Sequence, residues 1–255
     1  MINDILEYCK ALRLSSFLAE NALTTQGTTN QEYLLKLLKA ELEYRDEKRR
    51  NLCLKQAGFD VTKTFGNYEF NEIEIPETLS IDSIKSADFI DRIENLILYG
   101  KSGTGKSHLA TAIGVEACMQ GKKVKFYRTA ALVNELVDSK NKGTLVALLK
   151  KLSKVDLLIC DEWGYIPFDS EGAQLLFQVI SECYEKHSII ITTNLEFSKW
   201  NGIFYDEKLT NALIDRLVHH SHLLVFPGES YRLKHSIMQN SIFSIRALPL
   251  AYFEL

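Results

Sequence analysis

The sequence lacks the long apolar run that a membrane-spanning helix needs. Its 255 residues contain no uninterrupted apolar stretch of about 18 residues. The N-terminus, MINDILEYCK, also lacks the basic-then-apolar order of a secretory signal. Both absences favour a cytoplasmic protein that has no membrane partner.

Cysteine is scarce, and the cysteines are scattered along the chain. No two of them have the CxxC spacing, so the sequence suggests neither a zinc ribbon nor a disulfide framework. We expect these residues to be small buried apolar side chains. The five cysteines are Cys9, Cys53, Cys118, Cys160 and Cys183.

An excess of positive charge is also absent, since 30 Lys and Arg stand against 33 Asp and Glu, for a net charge of −3. This balance excludes a protein that coats nucleic acid by its overall positive charge. The distribution is uneven, however. Residues 97–154 contain eleven basic and three acidic side chains, whereas residues 61–96 have a net charge of −5 and residues 155–255 one of −6. A polyanion is therefore expected to bind the central segment.

The N-terminal part of the chain has helical periodicity. Leucines recur at near-helical spacing within Asn30–Ala57, which predicts a long amphipathic helix. A shorter helix is predicted before it, and Gly58 is a typical helix stop. We therefore expect residues 1–62 to form an all-helical domain. The leucines that carry the pattern are Leu34, Leu35, Leu38, Leu42 and Leu52.

Residues 63–255 show a different pattern, in which short apolar strands alternate with helical segments. Such alternation is typical of βαβ units, in which helices cover both faces of a parallel sheet. The sequence therefore predicts an α/β fold for this second domain. The predicted strands are 95–99, 123–127, 156–160, 188–193 and 223–226.

The segment GKSGTGKS follows the first of these strands and matches G-x-x-x-x-G-K-[ST] in full. A strand before the motif and a helix after it are the context that a phosphate-binding loop requires. Lys106 is expected to reach the β- and γ-phosphates of ATP, and the Ser107 hydroxyl to bind Mg²⁺. The predicted nucleotide-binding residues are Gly100, Lys101, Ser102, Gly103, Thr104, Gly105, Lys106, Ser107, His108 and Asp161.

Two further strands end in polar side chains of the kind that ATP hydrolysis uses. Asp161 and Glu162 follow one strand, and Asn194 follows the next. We predict that Asp161 holds Mg²⁺ together with Ser107, that Glu162 is the base that aligns water, and that Asn194 orients this water. An Asp-Glu pair favours hydrolysis over phosphoryl transfer to a small acceptor.

Arg216, in the segment LIDRL, has two interpretations. An arginine near a subunit edge can reach the γ-phosphate of a neighbouring subunit and act in catalysis there. Alternatively, Arg216 forms a salt bridge with Asp215 or Glu207 of its own helix. The residues alone do not decide between the two.

Four segments together resemble the IstB family of ATP-binding transposition helpers, which are AAA+ ATPases related to the DnaC-type helicase loaders. These segments are GKSHLATAIG, DLLICDEWGYIPFDSEGAQLLFQVIS, TTNLEFSKW and LIDRLVHHSHLLVFPGESYRLK, and the resemblance runs from about residue 5 to about residue 236. It implies a P-loop NTPase of the ASCE type with a five-stranded parallel sheet. In such a sheet the strand before Asn194 lies between the strands that end at Gly100 and Asp161.

The resemblance also implies a function. Homo-oligomers with ATP sites between subunits would assemble on duplex DNA with little sequence preference and deliver it to a transposase of the IstA type. In these oligomers Arg216 fits the position of the family's arginine finger. The alternative is a DnaC-like replicative helicase loader, which handles single-stranded DNA. A small-molecule kinase is disfavoured, because the sequence offers neither an acceptor pocket nor an arginine-rich lid.

The C-terminal segment is short for this family. Only 29 residues follow Phe226, whereas a helical lid of the AAA+ type needs roughly 60 or more. We therefore expect a minimal lid or none, with Arg232 at best a vestigial sensor arginine.

The central basic segment supplies the candidates for DNA contact, since lysines bind phosphates without reading sequence. A solvated basic face is the alternative. The basic residues of the N-terminal helices alternate with acidic ones, so we interpret these helices chiefly as a docking module for neighbouring subunits or the transposase. The candidates are Lys122, Lys123, Lys125, Arg128, Lys140, Lys142, Lys150 and Lys151.

His219, His220 and His222 give only a weak metal signal. No second cluster with zinc spacing accompanies them, and a predicted strand follows immediately. The sequence therefore predicts no metal site at these histidines.

Overall fold

The computed structural model of the chain describes residues 2–165, 169–204 and 206–234. Most of the segment after Phe226, for which the sequence predicts a minimal lid or none, lies outside these residues. None of the helices in the described ranges is both long enough and apolar enough to cross a membrane.

Three helices form the N-terminal region: α1 (Ile2–Ala11), α2 (Ser16–Asn21) and α3 (Asn30–Ala57). The third has the bounds that the sequence predicts. Its N-cap Thr29 accepts a hydrogen bond from a backbone N–H of the first turn at 3.2 Å. It ends at Gly58, whose φ of 79° is the left-handed conformation that favours glycine.

The leucine stripe that indicated α3 lies on the surface. Each of its five leucines is between 49% and 60% exposed, although apolar side chains normally face a core. The side chains of α3 that are buried are Leu37, Glu41, Cys53 and Ala57. A single chain therefore leaves the apolar stripe of α3 uncovered.

A buried carboxylate joins the α1–α2 connection to α3. Glu41 is 3% exposed and accepts hydrogen bonds from the Ser15 N–H at 2.8 Å, the Ser15 hydroxyl and the Arg45 side chain at 2.7 Å. Burial raises the pKa of Glu41, but these hydrogen bonds outweigh that effect and the pKa lies below its usual value. The N-terminal helices are therefore held together by an ionised, fully partnered glutamate.

The remaining helices and strands alternate along the chain, as the sequence predicts. They are α4 (Ile81–Ser86), β1 (Asn95–Gly100), α5 (Lys106–Met119), β2 (Val124–Arg128), α6 (Thr129–Asn141), α7 (Leu145–Leu152), β3 (Leu157–Trp163), α8 (Ser170–Cys183), β4 (Ser188–Thr193), α9 (Asn201–Phe204), α10 (Glu207–Val218), β5 (Ser221–Phe226) and α11 (Tyr231–Lys234).

The five strands form one parallel sheet in the order β2-β3-β4-β1-β5. The insertion of β4 between β1 and β3 is confirmed, with Leu96 opposite Ile190 on one side and Ile159 opposite Ile190 on the other. The carboxyl ends of β1, β3 and β4 consequently meet at one edge of the sheet, which is where ligands bind in open α/β folds.

Apolar side chains fill both faces of the sheet, and alternate residues of each strand point to opposite faces. On β3, for example, Ile159 belongs to the core under α5, whereas Leu158 and Cys160 belong to the core under α6, α8 and α10. The last turns of α3 join the first of these cores through Cys53 and Ala57. All five cysteines are buried, as expected.

The contacts of Glu41 generate a prediction. Glu41→Ala removes the acceptor of the Ser15 donors and should cost about 2 kcal/mol of local stability. Hydrogen exchange of residues 2–21 is expected to rise about thirtyfold, because about 1.4 kcal/mol corresponds to a factor of ten, while the sheet stays protected. Glu43→Ala, at an exposed position of the same helix, is the matched control. Unchanged protection of residues 2–21 in Glu41→Ala would contradict the anchoring role.

Candidate nucleotide-binding site

The predicted phosphate loop connects β1 to α5 at the carboxyl edge of the sheet. Gly103 and Gly105 have φ values of 83° and 97°, which L side chains rarely adopt. A Cβ atom at Gly103 would also collide with the Ser230 side chain. These two glycines let the backbone turn tightly, so that its N–H groups can face an anion.

Lys106, the first residue of α5, is 8% exposed. Its ammonium group donates hydrogen bonds to the carbonyls of Gly100 at 2.7 Å and Lys101 at 2.6 Å. Burial lowers the pKa of Lys106 to about 8; the Asp161 carboxylate opposes this shift, and the Arg232 charge adds to it. A phosphate group is the natural counter-charge for such a buried cation.

Asp161 lies at the centre of a hydrogen-bond network and is 5% exposed. One oxygen of its carboxylate accepts hydrogen bonds from the Ser107 hydroxyl at 2.7 Å and from the Thr192 hydroxyl. Its backbone carbonyl accepts a third, from the Thr129 hydroxyl at 2.8 Å. A hydroxyl and a carboxylate are thus held side by side next to the loop, and these are ligands that Mg²⁺ prefers.

Glu162 has an unusual backbone conformation, with a φ of 57°. The β3–β4 register is irregular between Cys160 and Trp163, and the Glu162 N–H donates to the Thr192 hydroxyl at 3.0 Å. Glu162 is the one exposed residue of β3, because the left-handed conformation turns its side chain away from the core. This side chain lines the cavity beside the loop.

Sequence reasoning missed three threonines that hold this edge of the sheet. Thr129 and Thr192 bind Asp161, as described above, and the Thr193 hydroxyl donates to the Trp163 carbonyl at 3.0 Å. All three are buried. The Thr-Thr pair before Asn194 could have indicated these contacts, because neighbouring hydroxyl groups at the end of a buried strand need hydrogen-bond acceptors.

A cavity of about 790 Å³ lies against the phosphate loop. Its walls combine the loop, the ends of β3 and β4, the segment 63–73 and the segment 226–232. Among the sequence-predicted residues, those that line it are Ser102, Gly103, Thr104, Gly105, Lys106, Ser107, His108, Glu162 and Asn194.

Segment 63–73 forms one wall of the cavity. The sequence did not predict a role for this segment in the site. The Tyr68 hydroxyl donates to the Gly105 carbonyl at 3.4 Å, and the Tyr68 ring lies 5.0 Å from the His108 ring. His108 Nε2 is 3.0 Å from the Thr64 carbonyl oxygen, so His108 contacts this segment as well as the cavity. Burial raises the pKa of Tyr68, and its hydroxyl stays protonated.

The segment after β5 closes another side of the cavity. The Tyr231 N–H donates to the Gly103 carbonyl at 3.0 Å, which ties the start of α11 to the phosphate loop. Arg232, which the sequence interpretation treated as at best vestigial, lines the cavity and is close enough to lower the pKa of Lys106.

Arg216 lies apart from this group, on α10, and is not among the described residues that line the cavity. Its guanidinium donates to the Ala212 carbonyl at 2.8 Å and lies 5.0 Å from the centre of the Phe177 ring. Within one chain, therefore, Arg216 does not join the residues around the phosphate loop.

The eight basic residues predicted to contact DNA fall into two groups. The side chains of one group have partners within the chain. Lys122 pairs with Asp91, and Lys125 donates to the Gln56 carbonyl. Arg128 pairs with Asp60 at 2.8 Å, and Lys140 pairs with Glu171 at 2.6 Å. The other four are exposed, and they are Lys123, Lys142, Lys150 and Lys151.

Comparison with known proteins agrees with this geometry. A family model described as IstB-like ATP binding protein matches residues 8–239. The ATP-binding protein of insertion sequence IS5376 from Geobacillus stearothermophilus is 36% identical over 245 residues, which cover 94% of this chain and 97% of that protein. The IS21 ATP-binding protein of Pseudomonas aeruginosa is 38% identical over 204 residues, which cover 80% of this chain and 77% of that protein.

Solved structures support the fold. AMPPCP-bound DnaA from Aquifex aeolicus superposes with a TM-score of 0.56 at 21% identity, covering 76% of this chain and 59% of that one. A DnaC helicase loader superposes with a TM-score of 0.50 at 20% identity, covering 64% of this chain and 96% of that one. At such identities the likeness concerns the fold alone.

The lowered pKa of Lys106 generates a prediction about stability. The unfolded chain keeps the Lys106 proton up to a pH of about 10.5, but the folded chain keeps it only to about 8. This side chain therefore destabilises the fold at neutral pH, and the penalty fades as the pH rises between these values. The measured quantity is the unfolding free energy of the wild type minus that of Lys106→Met. This difference should be about 2 kcal/mol more favourable to the wild type at about pH 9.5 than at about pH 7.

Urea denaturation of both proteins at the two pH values measures this difference. Lys101→Met removes an exposed lysine of the same loop and should follow the wild type. A difference between wild type and Lys106→Met that does not change with pH would contradict the burial of the Lys106 charge.

Proposed function

The chain belongs to the family of IstB-like ATP-binding proteins, and from this premise we propose that it is a DNA-binding AAA+ ATPase that helps an insertion sequence to transpose. ATP binding would order a homo-oligomer on duplex target DNA, and ATP hydrolysis would disassemble it. The oligomer would deliver this DNA to a partner transposase.

The observation that carries the proposal is the arrangement around Asp161. A carboxylate and the Ser107 hydroxyl lie in direct contact beside the phosphate loop, and the Glu162 carboxylate lines the adjoining cavity. A site that only bound nucleotide would not need this second carboxylate, whereas hydrolysis needs a base for the attacking water.

Each residue has a role in the proposed reaction. Lys106 binds the β- and γ-phosphates, and Ser107 and Asp161 hold Mg²⁺, which when bound would neutralise charge on the phosphates. Glu162 accepts a proton from the attacking water, and Asn194 orients this water. Thr192 positions both carboxylates, because it bonds the Asp161 side chain and the Glu162 backbone.

Arg216 is proposed to act on the ATP of a neighbouring subunit. Among the described residues, Arg216 does not line the cavity of its own chain, and this supports the role, because an arginine that served its own site would line that cavity. Its contact with Phe177 would keep the guanidinium ordered while no neighbour is bound.

The exposed lysines Lys123, Lys142, Lys150 and Lys151 are proposed as the main DNA contacts. Their partnered counterparts would have to break an ion pair or hydrogen bond within the chain before binding a phosphate. Residues 1–62 are proposed as the docking domain for neighbouring subunits or the transposase, and residues 63–255 as the ATPase domain. The uncovered leucine stripe of α3 supports a docking role.

An experiment with two variants tests the catalytic assignment. Glu162→Gln and Arg216→Ala should each lower DNA-stimulated ATP turnover at least a hundredfold. If Arg216 acts on the neighbour's ATP, an active site needs a subunit with an intact Glu162 beside a subunit with an intact Arg216. In an equal mixture of the two variants, roughly a quarter of the sites meet this requirement, so the mixture should regain roughly a quarter of wild-type turnover. Phosphate release measures this turnover.

The matched control is Glu196→Gln, which changes an exposed glutamate just after β4 and should keep full turnover. An equal mixture without any recovery would contradict the role of Arg216 between subunits. Normal turnover in Glu162→Gln alone would remove Glu162 from its role.

The DNA surface generates a separate prediction. A double variant, Lys150→Ala with Lys151→Ala, should weaken ATP-dependent duplex binding about tenfold and lower the slope of log affinity against log salt by about 2. The control is Lys199→Ala with Lys208→Ala, which removes the same charge from exposed positions outside the basic segment.

Fluorescence anisotropy with duplex and single-stranded probes measures both effects. Equal affinity in the two double variants would contradict this DNA surface. A preference of the wild-type protein for single strands would favour the helicase-loader alternative.

A further inference from the structure

Two of the three clustered histidines meet a glutamate that is distant in sequence. His219 and His220 lie between the end of α10 and the start of β5. Glu185 lies in the turn that follows α8 and precedes β4. The sequence offered these histidines no partner cluster, but the parallel sheet brings the two connections together at the edge opposite the phosphate loop.

The spacing of the donor atoms is close to that of a metal site. One nitrogen of each histidine and one carboxylate oxygen of Glu185 all lie within 4.8 Å of one another. Within this group, a carboxylate oxygen of Glu185 lies 3.7 Å from His220 Nε2. Ligands of a tetrahedral zinc ion are separated by roughly 3.3 Å. The His220 and Glu185 side chains are 40% and 59% exposed, so small rotations can close the remaining gap.

Neighbouring aromatic contacts hold the two imidazole rings in place. The Tyr184 hydroxyl lies 3.0 Å from His219 Nδ1, and the His219 and His220 ring centres are 4.1 Å apart. The Tyr184 ring is 6.1 Å from each of them. Metal-binding histidines commonly have such an oxygen partner, which fixes the orientation of the ring. This contact is a second observation, independent of the spacing, that favours a metal ligand.

His222 does not belong to the group. It lies on β5, where its Nδ1 is 3.0 Å from the Thr78 hydroxyl and its Nε2 is 3.2 Å from a Glu94 carboxylate oxygen. The structure therefore separates the three sequence-neighbouring histidines into a pair that faces Glu185 and a third residue that has its own partners.

We propose that Glu185, His219 and His220 bind one divalent transition-metal ion, Zn²⁺ foremost. Two imidazoles and one carboxylate are a common zinc ligand set and leave a fourth position for water. Nitrogen ligands select such metals over Mg²⁺ and Ca²⁺, which take oxygen ligands. The site is distinct from the proposed Mg²⁺ site at Ser107 and Asp161.

A metal at this position would link two elements that pack side by side. Glu185 follows α8, and the histidines follow α10, whose Arg216 lies over Phe177 of α8. The ion would therefore fix the end of α10 relative to α8 and stabilise the folded chain in proportion to its occupancy.

The test uses the full-length protein, freed of metal with a chelator and titrated with Zn²⁺ in competition with a chromogenic chelator. The wild type should bind one equivalent, and Zn²⁺ should raise its melting temperature. A double variant, His219→Ala with His220→Ala, should bind at least a hundredfold more weakly. His222→Ala is the matched control from the same segment and should bind as the wild type does.

Co²⁺ supplies a readout that does not depend on the variants. The wild-type Co²⁺ complex should show the intense visible bands of tetrahedral coordination and two shifted imidazole N–H signals in the proton NMR spectrum. A sulfur-to-cobalt charge-transfer band would instead indicate the buried cysteines and overturn the assignment. So would the lack of any Zn²⁺ binding by the wild type, or equal binding by the double variant. None of these results depends on ATPase activity, so they leave the proposed function untouched.

Discussion

The structure of the site depends on one buried carboxylate, that of Asp161. Its side chain accepts hydrogen bonds from Ser107 at the start of α5 and from Thr192 on β4, and its backbone carbonyl accepts one from Thr129 at the start of α6. A buried carboxylate is costly unless it is well partnered, so these elements are held in a fixed relation. The same threonine binds the Glu162 N–H and supports its left-handed conformation, and this conformation directs a second carboxylate into the cavity.

The charges around the phosphate loop follow from this arrangement. Lys106 is buried beside Asp161 and is satisfied by carbonyls of its own loop, yet its pKa falls to about 8. The surroundings of Lys106 therefore do not fully compensate for the burial of its positive charge. Phosphate oxygens would supply that compensation, and binding of ATP would raise the pKa of Lys106 back toward its ordinary value. Arg232 lies in the same cavity and adds to this requirement for an anion.

Local patterns predicted the phosphate loop, the alternating elements, the bounds of α3 and the convergence of Asp161, Glu162 and Asn194 at one edge of the sheet. Contacts between distant segments could not be predicted in this way. The cavity wall at residues 63–73, the Glu185 partner of the histidines and the pairing of Arg128 with Asp60 all depend on the topology of the chain. Periodicity likewise identified the leucine face of α3, but it could not reveal that a single chain leaves this face uncovered.

The central claim is that Ser107 and Asp161 form a metal site that serves the phosphates of ATP. It is tested most directly by titrating a fluorescent ATP analogue into the protein with Mg²⁺ and again with EDTA. We predict that Mg²⁺ tightens binding by about tenfold or more, and that this gain is lost in Asp161→Asn. Equal affinity of the wild-type protein with and without Mg²⁺ would contradict the account.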